Sequence, residues 1–144
     1  MKITILQRNI EWANPALNVQ RADEAIDRNP GSDLYVLPEM FSTGFCTNPE
    51  GIAESTESDT LAWMKEKARA IDAAIAGSVA VTKDGKYYNR FYFVKPDGSV
   101  AQYDKKHLFT YGGEHHRFTP GTERVIVEWK GVRILLEICY DLRF

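Results

Sequence analysis

The order in which two hydrophobic periods alternate along the chain constrains its fold more than any other feature. Short apolar runs of strand type exchange twice with amphipathic stretches of helical period, and further strand runs then follow one another through tight turns. In residues 2–10, Ile3 and Ile5 alternate with Lys2 and Thr4, and Leu6 widens the apolar side, which predicts a first strand. Asn14-Pro15 opens a helix, with Asn14 as the cap and Pro15 at the first helical position. Ala16, Val19, Ala22 and Ile26 share one face of it, and Asn29-Pro30-Gly31 ends it. Residues 33–37 give a second buried strand, and Pro38-Glu39 stops it. After a polar stretch over 46–56, Leu61, Met64, Ala68 and Ile71 recur at helical spacing and predict a helix over about 58–74.

From Ala74 the period returns to two. A strand rich in small residues runs to Thr82, the Asp84-Gly85 pair marks a hairpin, and Tyr87 to Lys95 returns. Pro96-Asp97-Gly98 turns again into a short strand from Val100 to Tyr103. Three strands on two tight turns make an antiparallel meander. Added to the earlier strand–helix–strand–helix segments, it predicts an α/β fold, a mixed sheet with helices packed on it. Residues 104–121 form a long polar, aromatic and glycine-containing connection, a kind of loop that is usually functional or disordered. Residues 124–129 form a strand, and Gly131 turns into the last one.

That last stretch, Gly131 to Phe144, carries Val132, Ile134, Leu135, Leu136 and Ile138 in a nearly continuous apolar run. Such a composition suits a strand buried on both faces. Cys139 follows it directly, a position from which a turn can present a nucleophile. The commoner role of such a cysteine is that of a small buried hydrophobe. Glu39 ends another predicted strand, at the carboxyl edge where open α/β sheets place their sites. Its plainer reading is a solvated rim carboxylate. The loop 40–45 is aromatic and could line a small-molecule pocket or pack beneath the sheet.

The totals narrow the function classes. With 144 residues the chain fits one domain, and its formal net charge of −2 lacks the basic face a nucleic-acid binder needs. No apolar run approaches the ~20 residues of a membrane span, and the first residues read as a strand rather than a signal peptide. Two cysteines, Cys46 and Cys139, are too few for a disulfide framework. Free thiols and a cytoplasmic protein are the expectation.

A cysteine nucleophile needs a base or a cation beside it. Strand ends and the long loop offer Glu39, Lys105, Lys106, His107, Glu114, His115 and His116. A Cys–His pair would be protease-like. A Cys–Glu–Lys set would use the carboxylate as base and the lysine as a fixed charge for an oxyanion. Zinc would draw on Cys46, Cys139 and the histidines, but no C-x-x-C or H-x-x-x-H spacing supports it.

With these residues in view, the chain resembles the nitrilase superfamily, and most closely its amidase branch that includes the ω-amidases of 2-oxoglutaramate and 2-oxosuccinamate. Leu37-Pro-Glu-Met-Phe-Ser-Thr-Gly-Phe45 is similar to the segment bearing the family's catalytic glutamate. Tyr103-Asp-Lys-Lys-His-Leu-Phe109 is similar to its lysine segment, where the functional lysine stands two places before the histidine. Gly112 to Gly121 resembles the segment of the second glutamate, and Ile138-Cys-Tyr-Asp-Leu-Arg-Phe144 the nucleophile motif. The resemblance implies an α-β-β-α sandwich of four layers. It implies Cys139 as nucleophile, Glu39 as base, Lys105 rather than Lys106 as oxyanion partner, and Glu114 as the residue that positions the lysine or the substrate nitrogen.

The implied reaction is hydrolysis of a small carboxamide through a thioester, releasing ammonia, with neither metal nor organic cofactor. Phe41, Phe45 and Tyr140 would wall the pocket, and Arg143 would meet an anionic substrate unless paired with Asp141 or another carboxylate. The family forms dimers or larger assemblies, so a homo-oligomer is expected. Family members continue well beyond the nucleophile motif, so residues 1–144 are expected to be the front half of a carbon–nitrogen hydrolase domain. N-carbamoyl hydrolysis and an inactive half-domain that only binds are the alternatives.

Overall fold

The computed structural model describes residues 1–144. Its elements are β1 (Ile3–Ile5), α1 (Pro15–Asp27), β2 (Leu34–Val36), β3 (Glu54–Ser55), α2 (Asp59–Ile71), β4 (Ala74–Lys83), β5 (Lys86–Val94), β6 (Val100–Asp104), β7 (Ile126–Trp129) and β8 (Val132–Leu135). Short 3₁₀ turns occupy Thr110–Gly112, Glu114–His116 and Cys139–Arg143. The main sheet has the order β1-β2-β4-β5-β6, parallel on the first side of β4 and antiparallel on the other. The mixed α/β sheet expected from the sequence is present.

Local chemistry sets the boundaries. Asn14 caps α1 by accepting from the Leu17 amide, and Ser58 caps α2 by accepting from that of Leu61. Asp72 caps α2 in the left-handed region, so the helix ends at Ile71, three residues before the expected boundary at 74. Asp84 and Gly85 both take positive φ, the turn that joins β4 and β5 in register. The first strand is shorter than expected, ending at Ile5 rather than residue 10. Its only neighbour, β2, stops at Val36, and Pro38 has no N–H to extend a ladder.

The strand buried on both faces is β4, where eight consecutive residues from Ala74 to Val81 are buried. On one side Ile75, Val79 and Val81 pack with Ala22 and Ile26 of α1 and Leu61, Met64 and Ala68 of α2. On the other, Ala74 and Ala76 pack with Phe93, Tyr103, Val127, Leu136 and Ile138, so the β7–β8 hairpin covers that face. The small side chains of β4 let both layers approach. At Gly77 an added Cβ would lie 2.9 Å from Leu37 Cβ and 3.0 Å from Phe41 Cδ1.

The final apolar run does not become a doubly buried strand. β8 pairs only with β7 and leaves Val132 and Leu135 exposed, while Leu136 and Ile138 beyond it are buried. Its composition asks for two covered faces, and in this structure only one is supplied. Ile3 and Ile5 of β1, the latter 73% exposed, lie open beside it and line with it an apolar cavity of about 460 Å³.

One gap in the sheet positions the site. β2 pairs with Ala74 to Ala76 and β3 with Val81 and Thr82, both on the same edge of β4. Between them the chain leaves the sheet, and the edge of β4 is satisfied by a turn instead. Leu37 N donates to Ala76 O, Phe41 N to Ser78 O and Met40 N to Ser78 Oγ at 2.7, 3.1 and 2.8 Å. Glu39 sits at the head of that turn.

Candidate active site

Three chain segments deliver the site. The first is the Glu39 turn, where Met40 takes a φ of +46° and is fully buried, so the turn is held by packing as well as by its bonds to Ser78. The second is the chain after β6. Lys105 N donates to Asn89 O, and Gly121 N donates to Lys105 O, both at 2.9 Å. The lysine backbone is thereby fixed between β5 and the end of the long loop, and a Cβ on Gly121 would collide with the Asp104 carbonyl. The third is the turn after Ile138, where Cys139 itself takes a φ of +46°. Two strained non-glycine residues therefore flank one cavity, a pattern that surrounding structure must over-determine.

At the centre lies the ammonium of Lys105, with its side chain 0% exposed. Nζ is 2.7 Å from Glu39 Oε1 and 3.0 Å from Glu114 Oε2. Glu114 is itself fully buried and accepts from the Phe109 amide at 2.6 Å. Asn89 closes the set by donating through Nδ2 to Glu39 Oε1 at 2.8 Å and to Glu114 Oε1 at 3.0 Å. Burial alone pulls the Lys105 pKa down, but the two carboxylates more than offset it, and the net shift is upward. The lysine is a fixed cation. Nζ carries three hydrogens; the two glutamates use two, and the Phe45 ring centroid lies 5.7 Å away.

Glu39 is the one carboxylate of the pair that reaches open space, with its side chain 19% exposed. It lines a cavity of about 220 Å³ with Phe45, Phe109, Cys139 and Tyr140. The Cys139 thiol is exposed at this cavity. Partial burial and then the charge of Glu39 raise its pKa, while Lys105 opposes the rise. The resting sulfur thus keeps its proton, and the adjacent Glu39 is placed to remove it.

The structure brings together Glu39, Lys105, Glu114 and Cys139 as four sequence segments that are far apart in the chain. Phe45 and Tyr140 join them at the cavity. Phe41 does not: it is buried in the helix-side core with its ring 6.1 Å from that of Trp63, and Phe109 takes the wall position. Arg143 is exposed, lies outside the cavity lining and forms no ion pair with Asp141. Asp141 is buried, and its oxygens are filled by other donors.

His107 is not among the residues that line the Cys139 cavity; its ring lies 2.9 Å from Asp141 and stacks on Phe144. His115 and His116 are exposed, with ring centroids 3.9 Å apart. Lys106 is exposed. Cys46 is buried 3.8 Å from Met40 Sδ, and burial raises its thiol pKa. No three His, Cys, Asp or Glu side chains converge as metal ligands. Asn89 was not singled out by sequence reasoning, and Asp141 was named there only as a possible partner of Arg143. A polar Asn89-Arg90 pair inside the aromatic run of β5 was the available signal for the first.

Residues 2–144 match the model of the carbon–nitrogen hydrolase family. The chain belongs to this family. It is 45% identical over 145 residues to an omega-amidase, YafV, of Escherichia coli K12, covering 100% of this chain and 56% of that protein. It is 34% identical over 146 residues to a 2-oxoglutaramate amidase of Bacillus subtilis, covering 99% of this chain and 56% of that protein. The chain thus spans about half the length of the curated relatives it matches. Among solved structures it superposes with a TM-score of 0.96 on a carbon–nitrogen hydrolase superfamily protein from Xanthomonas campestris described with an arsenic adduct in its active site. That pair shares 41% identity over 100% of this chain and 55% of the other. Within the family fold, the four-residue set described here lies at the ends of β2 and β6, in the loop after β6 and at the turn after β8.

Proposed function

We propose that residues 1–144 form the nucleophile-bearing part of a carbon–nitrogen hydrolase domain that hydrolyses a small carboxamide, with the ω-amide of a 2-oxo dicarboxylic acid as the favoured substrate class. The observation that carries the reading is the placement of Glu39 between a buried ammonium and an exposed thiol. A carboxylate so placed can take a proton from sulfur, and the ammonium can hold the negative charge that develops opposite. The omega-amidase and 2-oxoglutaramate amidase names of the relatives support the substrate class.

In the reaction, Glu39 removes the proton from Cys139 as Sγ bonds to the carbonyl carbon. The electron pair of the C=O bond moves to oxygen. That oxyanion is met by the free N–H of Lys105 and by the Tyr140 amide, which donates to no backbone acceptor. Glu39 then passes its proton to the amide nitrogen, the C–N bond breaks, ammonia leaves and a thioester remains. Water enters, Glu39 takes one of its protons as the water oxygen bonds to the carbonyl carbon, and the C–S bond breaks with that proton passing from Glu39 to sulfur. The products are the acid and the restored thiol. Glu114 acts by fixing Lys105, since both of its oxygens are already engaged by Asn89, Lys105 and the Phe109 amide. The cycle as proposed draws on no cofactor.

The four-layer sandwich and a homo-oligomer are what the family resemblance implies for the whole protein. Two unpaired cysteines, one exposed, suit a reducing cytoplasmic setting. No helix is long and apolar enough to cross a membrane. The test is ammonia release by the full-length protein from 2-oxoglutaramate, glutamine and an N-carbamoyl amino acid. Turnover of the 2-oxo acid amide well above the others is expected. Preference for the N-carbamoyl compound would move the substrate class, and ammonia from none would leave a binding role.

A further inference from the structure

A left-handed conformation at Cys139 costs about 1–3 kcal/mol and persists only where neighbouring contacts impose it. The contacts that impose it converge on one buried side chain two residues later. Asp141 Oδ2 accepts from the Tyr103 hydroxyl at 2.8 Å and from the Ile138 amide at 3.0 Å. Asp141 Oδ1 accepts from the His107 amide at 2.8 Å and lies 2.9 Å from His107 Nδ1. The Tyr103 hydroxyl in turn accepts from the Lys106 amide at 3.1 Å. Tyr103 and His107 stand two residues before and two after Lys105. Ile138 immediately precedes Cys139. A single carboxylate therefore ties the turn that carries the thiol to both sides of the residue that carries the ammonium.

We infer that Asp141 is a positioning residue that locks the strained Cys139 turn to the Lys105 segment and so fixes the sulfur against Glu39. It does not itself line the cavity and hydrogen-bonds to none of the proposed reacting atoms, and it acts through the two segments it joins. Phe144 completes the lock from outside by stacking on the His107 ring at 4.1 Å and packing edge-on against Tyr140 at 5.4 Å. A carboxylate suits the task because it is acceptor-only. An amide at the same place would turn its NH₂ toward one of the two donor pairs in either orientation.

The inference rests on the Cys139–Glu39–Lys105 reading and is tested apart from it by the pH dependence of Cys139 alkylation by iodoacetamide. The charged groups facing that thiol are Glu39, Lys105 and Glu114. In the full-length protein Asp141→Asn should let the sulfur leave Glu39, moving the alkylation profile to lower pH, toward that of an ordinary thiol. kcat for ammonia release should fall about 10²-fold with a much smaller change in KM. Tyr103→Phe removes one bond to the same carboxylate and should move the profile in the same direction by less, which serves if Asp141→Asn does not fold. A purely structural role would lower the melting temperature and leave the profile of the folded protein unmoved. A profile that shifts in Glu39→Gln but in neither Asp141→Asn nor Tyr103→Phe overturns the lock alone. One indifferent to Glu39→Gln as well overturns the catalytic reading beneath it.

Discussion

Lys105 holds its charge while fully buried because two carboxylates share it, and the surplus negative charge falls on the one that faces the cavity. Glu114 is spent on Lys105 and the Phe109 amide, whereas Glu39 keeps an open side. The two glutamates thus differ by environment, and only one is placed to exchange a proton with Cys139. Lys105→Ala should cost about 10²–10³-fold in kcat, as loss of one oxyanion donor does, and should also lower the melting temperature by leaving Glu114 buried without its cation. Lys106→Ala, at an exposed position, should change kcat less than about twofold. Steady-state ammonia release with thermal melts checks both; equal losses at the two lysines would contradict the assignment.

The segments bearing Glu39, Lys105, Glu114 and Cys139 were legible in the sequence because each carries several distinctive residues in a fixed order. Asn89 and Asp141 were not, because a lone amide or carboxylate gains its meaning from partners 25 to 50 and 34 to 38 positions away. Arg143 was named for its charge and place in the motif. The turn points it to solvent, since Asp141 has its donors already.

At the scale of elements, caps and turns were read correctly from local chemistry, as at Asn14 and Asp84-Gly85. What composition left open was which strand would be covered on both faces. The aliphatic run 132–138 and the small-residue run 74–81 are both apolar; only the second lies between the helices and the hairpin.

The helix pair that covers one side is pinned by Lys67, whose Nζ lies 2.9 Å from Asp23 and 2.8 Å from Asp27, and by the Trp63 indole donating to Asp23 at 2.8 Å. Partial burial works to raise the Asp23 pKa, but the bonds from Trp63 and Lys67 prevail and hold it below 3.8. A carboxylate with a depressed folded pKa contributes stability above its unfolded value and loses that contribution as pH falls through the folded one. Because Asp23 is 37% exposed, screening keeps the contribution below about 1 kcal/mol. Asp23→Asn should therefore lower the melting temperature slightly at pH 7, and the difference from the parent should shrink below pH 3.8. A difference that persists unchanged at pH 2 would show that the charge is not what matters. Raised salt should shrink it as well.

At the scale of the molecule, the sheet separates two jobs. The helix side is a closed core, while the hairpin side and the sheet ends carry the site and the open apolar surfaces of β1 and β8. The chain spans 56% of its curated amidase relatives, and the four-residue set lies within that span. Cys139 should become acylated when the amide is cleaved. The direct measurement is peptide mass spectrometry of the full-length protein quenched during turnover of 2-oxoglutaramate. An acyl mass is expected on the peptide holding Cys139, none on the peptide holding buried Cys46, and loss of the adduct in Glu39→Gln. Ammonia release with no adduct on Cys139, or an adduct on Cys46, would contradict it.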